Sequence, residues 1–275
     1  MSSVRRIVLG LEYAGEAFCG WQSQRGVRTV QDTLEAALAS IAGEAVRLHC
    51  AGRTDTGVHA TAQVAHFDTH ASRGAQAWVR GANSLLPPEI AVHWSHELVP
   101  EDDFHARFRA ECRRYRYLLL DAPVRPALLA RRVGWFHQRL DVAAMRAAAQ
   151  SLLGEHDFSA FRAAGCQAKS PVKILHRLDI LRQDALIVFD FAANGFLHHM
   201  VRNLVGALVY VGAGRTPPEQ PARVLAARDR RLAAPTFSAD GLYFCGVRYP
   251  ARFGLPHGGD WFVPPALPVP HPHPS

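Results

Sequence analysis

Lysine is almost missing from this chain of 275 residues: Lys169 and Lys173 are its only two, although Lys and Arg together number 31. Positive charge therefore resides in arginine, which grips phosphate and carboxylate oxygens in a two-pronged way that lysine cannot. Against 24 acidic residues this leaves a formal net charge of +7 and an anionic partner as the functional reading; a plain compositional bias toward Arg, Ala and Pro is the other. Cysteine is sparse and scattered. Cys19, Cys50, Cys112, Cys166 and Cys245 are odd in number and form no CxxC pair, which argues against a disulfide framework or a zinc site and for a reducing cytosol. No apolar run approaches the roughly 18 residues of a membrane span. The opening Met1–Tyr13 does not read as a secretory signal, because its apolar run is short and Glu12 interrupts it. With 48% hydrophobic and 20% charged residues, wholesale disorder and fibrous repeats are excluded.

What is present reads as mixed α and β structure. Arg6–Tyr13 is expected to be a buried strand. Thr29, with Asp32 three residues on, caps a helix carrying Val30, Leu34, Leu38 and Ile41 on one face and stopping at Gly43. Short strands are expected at Val46–Cys50, Gln63–Phe67 and Ile90–Leu98, with a weaker helix over Gln76–Leu85. The order then recurs: a strand over Arg113–Leu120, a helix capped by Asp141, a hairpin turning at Gln183-Asp184, a strongly apolar helix over Met200–Val211, a short helix over Pro221–Ala227, and a last strand over Leu242–Tyr249. The expected fold class is α+β, with two similar halves of mainly antiparallel sheet packed side by side around a basic cleft. The halves are placed at residues 1–108 and 109–250, and residues 251–275, rich in proline, are expected to be a disordered tail.

Three segments have the residue types that chemistry needs. The loop Ala51–Ala60 presents Asp55 among small residues, with Arg53 two positions before it. A guanidinium nearby keeps a carboxylate ionised, and an ionised, positioned carboxylate serves as nucleophile, base or metal ligand. The competing reading is a turn, since Thr-Asp-Thr-Gly is good turn chemistry. An aspartic-protease reading fails, because no second such motif supplies the partner acid. The second segment, Phe104–Phe108 through Arg113–Tyr117, interleaves arginines with aromatics, the combination that stacks unpaired bases and holds their phosphates. The competing reading is a strand with a buried aromatic face and a solvated basic one. The third, Asn194–Asn203, places Arg202 in the first turn of an apolar helix, where a guanidinium needs a carboxylate or phosphate. His198-His199 are read as capping or packing residues, since no spaced acidic cluster accompanies them. A metal-dependent hydrolase using some of the 15 histidines is a second rival reading.

Taken in order, these segments resemble the tRNA pseudouridine synthase A family. The likeness is carried by Leu9–Tyr13, Phe18–Gln22, Gly52–Ala60, Asp103–Phe108, Arg113–Tyr117, Asp157–Phe161, Phe196–Asn203 and Gly241–Tyr243. Thr56 stands where the family usually has alanine, a small departure that leaves the aspartate undisturbed. The resemblance implies the pseudouridine synthase fold and isomerisation of uridine to pseudouridine at positions 38, 39 and 40 of the tRNA anticodon stem-loop. It implies tRNA as partner, a homodimer and no cofactor; no metal, no membrane and a cytoplasmic location are the expectations from the scattered cysteines and the short apolar runs. Among the residues, it implies Asp55 as catalytic nucleophile, Arg53 beside it in the catalytic loop, Arg202 as the charge partner of Asp55, and Tyr115 in contact with the target base and available as proton acceptor. A non-catalytic RNA-binding protein of the same fold is the alternative.

Overall fold

The computed structural model describes residues 4–256. In chain order the elements are β1 (Arg5–Tyr13), α1 (Val30–Ala42), β2 (His49–Cys50), β3 (His59–Thr69), α2 (Ala75–Leu85), β4 (Ile90–Leu98), β5 (Cys112–Asp121), β6 (Gly134–Phe136), α3 (Val142–Gln150), β7 (Gly154–Asp157), β8 (Val172–Gln183), β9 (Leu186–Ala193), α4 (Met200–Gly212), α5 (Gln220–Ala227) and β10 (Leu242–Arg248). The α+β class, with mainly antiparallel strands, is as the sequence led us to expect.

The chain forms two compact units. The first holds the described residues up to Tyr115, then Ala192–Phe196 and the described residues from Leu242 onward; the second holds Arg116–Phe191 and Leu197–Gly241. The units are thus discontinuous in sequence, where a single cut after residue 108 was expected. A strand that leaves one unit and a last strand that returns to it give no compositional signal.

In the first unit the strand order is β4-β1-β3-β10, with β2 on β3. The β1 strand is antiparallel to both β3 and β4, pairing Leu9 with Ala65 and with Ser95. Its core positions Ile7, Val8, Leu9 and Leu11 are all buried, as befits a strand with neighbours on both edges. The parallel pairing of β10 with β3 opposes Tyr243 to His59. The α1 helix starts as its sequence says: Thr29 Oγ1 accepts from Asp32 N at 3.2 Å, and Gly43 closes the helix at φ 73°. Asn83 ties α2 to β4, accepting from Val92 N and donating to Val92 O, both at 2.8 Å.

In the second unit the order is β5-β9-β8-β7, with β6 parallel to β5. The short strands β6 and β7 were not expected; they hold three and four residues, too few for a periodic pattern. Two buried polar side chains organise this unit. Asp121 accepts from Arg182 Nη1 and Nη2 and from Leu140 N. Asn203, on α4, donates to Phe161 O and accepts from Arg230 and Thr236. Such satisfied polar groups fix one packing arrangement of an otherwise apolar helix. Met200–Gly212 is buried at eleven of its thirteen positions, so it lies inside its unit rather than on its surface.

The expected tail begins too early. Ala251–Phe253 forms a 3₁₀ turn, and the buried Phe253 ring packs on Phe104 at 5.1 Å. A single well-placed aromatic outweighs the proline-rich composition that follows it. The rest of the expected tail, residues 257–275, lies outside the described residues.

Candidate active site

The Asp55 loop occupies residues 51–58 between β2 and β3, and it is braced from several sides. At its root, Arg113 Nε donates to Ala51 O at 3.0 Å, and Ala51 N donates to Val64 O at 2.8 Å. One step on, Gln63 of β3 holds Gly52 with both ends of its amide: Nε2 donates to Gly52 O at 2.7 Å and Gly52 N donates to Oε1 at 3.4 Å. The same Nε2 reaches the Tyr13 hydroxyl, which shares a 2.8 Å hydrogen bond with Thr54 Oγ1. Trp21 N donates to Thr54 O at 3.0 Å, and Val58 N closes a turn onto Asp55 O. Thr54 is buried while Arg53 is exposed and Asp55 half-buried. The residue before the aspartate is therefore anchored, and the aspartate side chain is presented from a fixed backbone.

Glycine matters at two contacts here. Gly20 sits at φ 82°, and a Cβ there would lie 2.7 Å from Thr54 O. A Cβ on Gly15 would lie 1.9 Å from Val58 O, and Gly15 N donates to Nδ1 of His59, whose ring stacks on Tyr243 at 4.7 Å. The Gly-rich turn after β1 thus exists so that its backbone can press against the loop.

Tyr115, on β5, stands close to this loop. Its hydroxyl lies 3.6 Å from where a Cβ of Gly52 would sit. Its ring meets Phe196 and Phe244 edge-to-face at 5.0 and 5.1 Å. Burial pushes the Tyr115 phenol above its ordinary range, and the nearby Tyr13 and Asp55 push it the same way, with Arg113 opposing. Asp55 and Tyr115 are therefore within electrostatic reach of one another, and the phenol is neutral in the resting protein. Cys50, at the loop's other side, is pushed up to about 12 by burial, which leaves it an inert thiol; the guanidiniums of Arg53 and Arg107 act against that shift.

The basic strand of β5 is used differently from the expectation of an arginine face open to phosphates. Besides Ala51 O, Arg113 donates to Asn194 O at 3.1 Å and to Arg107 O at 2.6 Å. In the second unit, Arg116 forms a two-pronged pair with Asp190 at 2.8 and 3.1 Å. Tyr117 is buried and donates to Ser238 O. These groups hold backbone and strand partners together, because a guanidinium inside a protein must satisfy several N–H donors at once.

Asp55, Arg53 and Tyr115 all belong to the first unit. Arg202 belongs to the second, in the first turn of α4, where its Nε donates to Phe237 O at 2.9 Å and Phe237 N donates back to Arg202 O. It lies within electrostatic reach of Tyr117. His199 occupies the N-cap position of that helix at φ 61° without a capping hydrogen bond from its side chain, His198 O accepts from Ala163 N, and the two imidazole rings lie 4.0 Å apart. The sequence reading passed over Gln63; it named Tyr13 only within a strand and the family likeness, and Arg113 only within a strand suited to RNA, not as braces of the loop. A glutamine within the apolar run of β3 was the available signal.

The site thus joins a braced acidic loop to a buried phenol within electrostatic reach of its aspartate, on an arginine-rich α+β scaffold. The family model described as tRNA pseudouridine synthase matches residues 11–109 and 148–250, and the chain belongs to that family. Among curated proteins, it is 64% identical over 263 residues to the tRNA pseudouridine synthase A of Aromatoleum aromaticum, covering 96% of this chain and 99% of that protein. It is 63% identical over 252 residues to the protein of the same name from Chromobacterium violaceum (91% and 95% covered), and 58% identical over 258 residues to that of Dechloromonas aromatica (94% and 98%).

Proposed function

We propose that this chain isomerises uridine to pseudouridine in tRNA, at positions 38, 39 and 40 of the anticodon stem-loop, with Asp55 as the catalytic nucleophile. The observation that carries the assignment of roles is the braced Asp55 loop within electrostatic reach of the buried Tyr115 phenol. In the reaction the N1–C1′ glycosidic bond breaks and the uracil keeps the bonding pair. The base turns, C5 bonds to C1′, the C5 proton leaves and N1 gains one. Nothing is oxidised, hydrolysed or donated, so no cofactor is required by the balance. Positive character grows on the sugar as the base departs, and a carboxylate fixed beside it captures or offsets that charge. Water must be kept from the detached base, or an abasic site results; the Tyr115, Phe196 and Phe244 rings form an apolar wall suited to that task. A paired uridine is unreachable, so it is flipped out at a cost of about a few kcal/mol.

Tyr115 contacts the flipped base. As a neutral phenol it offers a donor to a uracil oxygen; to take the C5 proton it must pass its own proton on in the same step. Arg53 is the exposed cation of the loop and meets backbone phosphate. Arg202 is the charge partner of Asp55, supported by its place in the first turn of an apolar helix, where a guanidinium needs an anion. Arg202→Ala then lowers turnover more than tRNA affinity, read as separate changes in kcat and Kd. The protein acts as a homodimer in the cytoplasm. Among the described residues no helix is long and apolar enough to cross a membrane. The exposed Val124 and Leu128 offer a second copy an apolar surface, and sedimentation velocity tests the assembly.

The experiment is carbodiimide-stop mapping of an unmodified tRNA transcript after incubation with protein. Wild type gives stops at 38, 39 or 40. Asp55→Ala gives none, a loss of at least about 10³-fold, while still binding tRNA. Equal product from both proteins removes Asp55 from its role, and binding without product from either supports the non-catalytic reading.

A further inference from the structure

In the turn His105–Phe108 only Arg107 touches the site described above; the rings of His105 and Phe108 are not used there. Phe108 is 72% exposed, the most exposed aromatic among the described residues whose surroundings are themselves rings. It lies 4.3 Å from the ring of His105; His105 is 5.2 Å from His49 and 4.7 Å from His66; and His66 meets the buried Phe104 at 5.6 Å. A single exposed phenylalanine means little. A ladder of rings running from core to surface, with its last rung bare, is a different object.

Two rungs of the ladder are fixed in place. Ala106 N donates to His66 Nδ1 at 3.2 Å, and Arg107 N donates to His105 Nδ1 at 3.1 Å, so both imidazoles are held by the backbone. Burial lowers the pKa of both, with neighbouring histidines and Arg6 acting the same way. Arg109 N closes the turn onto His105 O at 3.0 Å, and Phe108 stands just inside that closure. The Arg107 guanidinium lies 5.7 Å over the Phe108 ring. The Arg107 carbonyl accepts from Arg113, the same guanidinium whose Nε holds Ala51 at the root of the Asp55 loop. One side chain thus fixes both the loop and the turn.

We propose that Phe108, backed by His105 and His49, is a stacking platform for an unpaired nucleobase of the RNA substrate other than the uridine being isomerised, with Arg107 beside it for the adjoining phosphate. The inference rests on RNA being the substrate. A ring this exposed and backed by a held imidazole takes a base at little entropic cost, and any base has a π-face to offer. The cation alongside favours a nucleotide over an apolar protein surface.

Binding of the tRNA transcript is measured by filter retention over a series of salt concentrations. Phe108→Ala weakens binding roughly 5- to 100-fold, KM rises with Kd, and Phe108→Trp restores both. The slope of log Kd against log salt is unchanged in Phe108→Ala, since no phosphate contact is lost, whereas Arg107→Ala flattens it by about one contact. Wild-type affinity in Phe108→Ala overturns the proposal. So does a changed sedimentation coefficient with unaltered RNA binding, which would assign the ring to a second copy of the chain. Pseudouridine formation by the same wild-type preparation is scored separately. Product with undiminished Phe108→Ala binding removes the platform alone; no product with weakened Phe108→Ala binding removes the isomerase reading and keeps the platform.

Discussion

At the scale of single residues, Tyr115 shows how environment decides what a side chain can do. Its phenol is buried between Phe196 and Phe244 and close to the Asp55 charge, and all of this favours the neutral form. Tyr115→Phe preserves the ring packing and removes only the hydroxyl. Single-turnover assays are expected to show a rate loss of roughly 10- to 100-fold with tRNA affinity little changed. Full activity would exclude the hydroxyl from the chemistry. Asp55, Tyr115 and Arg202 were singled out in the sequence through the order of their segments and the resemblance this carries; taken singly, a turn, a half-buried strand and a packed helix account for each of them as well. The fate of Arg113 and Arg116 was not legible there. Whether a guanidinium meets phosphate, carbonyl or carboxylate depends on what the fold brings to it: Ala51, Asn194 and Arg107 carbonyls for the first, Asp190 for the second.

At the scale of elements, helices and long strands followed their signals. Thr29, Asp141 and Gly43 mark helix ends by backbone chemistry that operates locally, and the structure has each of them at the expected cap. The β2 strand is shorter than expected and β3 longer, since pairing with β1 reaches Ala60 and pairing with β10 reaches His59, while only His49 and Cys50 find a partner on β3. The Asp55 loop owes its shape to contacts from distant segments, which no local pattern shows. Gly20 is the sharpest test of that bracing. Gly20→Ala combines a left-handed backbone with a Cβ 2.7 Å from Thr54 O. Urea denaturation is expected to show a loss of about 1–3 kcal/mol. Activity at a temperature where the variant is folded is expected to fall as well, because Thr54 precedes Asp55. A stability change without an activity change would separate the bracing from the catalysis.

At the scale of the molecule, stability must depend on pH through buried histidine. His66 is buried, and burial, reinforced by His105, Arg6 and His49, lowers its pKa from 6.5 to about 3. The folded protein therefore binds fewer protons than the unfolded chain between those values, so the stability contribution is present above about pH 6.5 and is lost as pH falls toward 3. Between pH 7.5 and pH 5 the expected loss from this group is roughly 1–2 kcal/mol. His66→Asn keeps an acceptor for Ala106 N and removes the titration, so its stability changes less over that interval; an unchanged acid slope would contradict the assignment. The formal charge of +7 was legible at once, but it left an anionic partner and a plain compositional bias as equal readings. The division into units was not legible, because it requires the chain to leave the first unit after Tyr115 and return at Ala192 and Leu242.

The most direct test of the central claim follows the hydrogen at C5. A tRNA transcript carrying tritium at C5 of its uridines is incubated with wild type and with Asp55→Asn, and label released to water is counted alongside tRNA binding. Wild type is expected to release tritium from the anticodon arm, and Asp55→Asn to bind the tRNA and release none. Equal release by the two proteins would contradict the account.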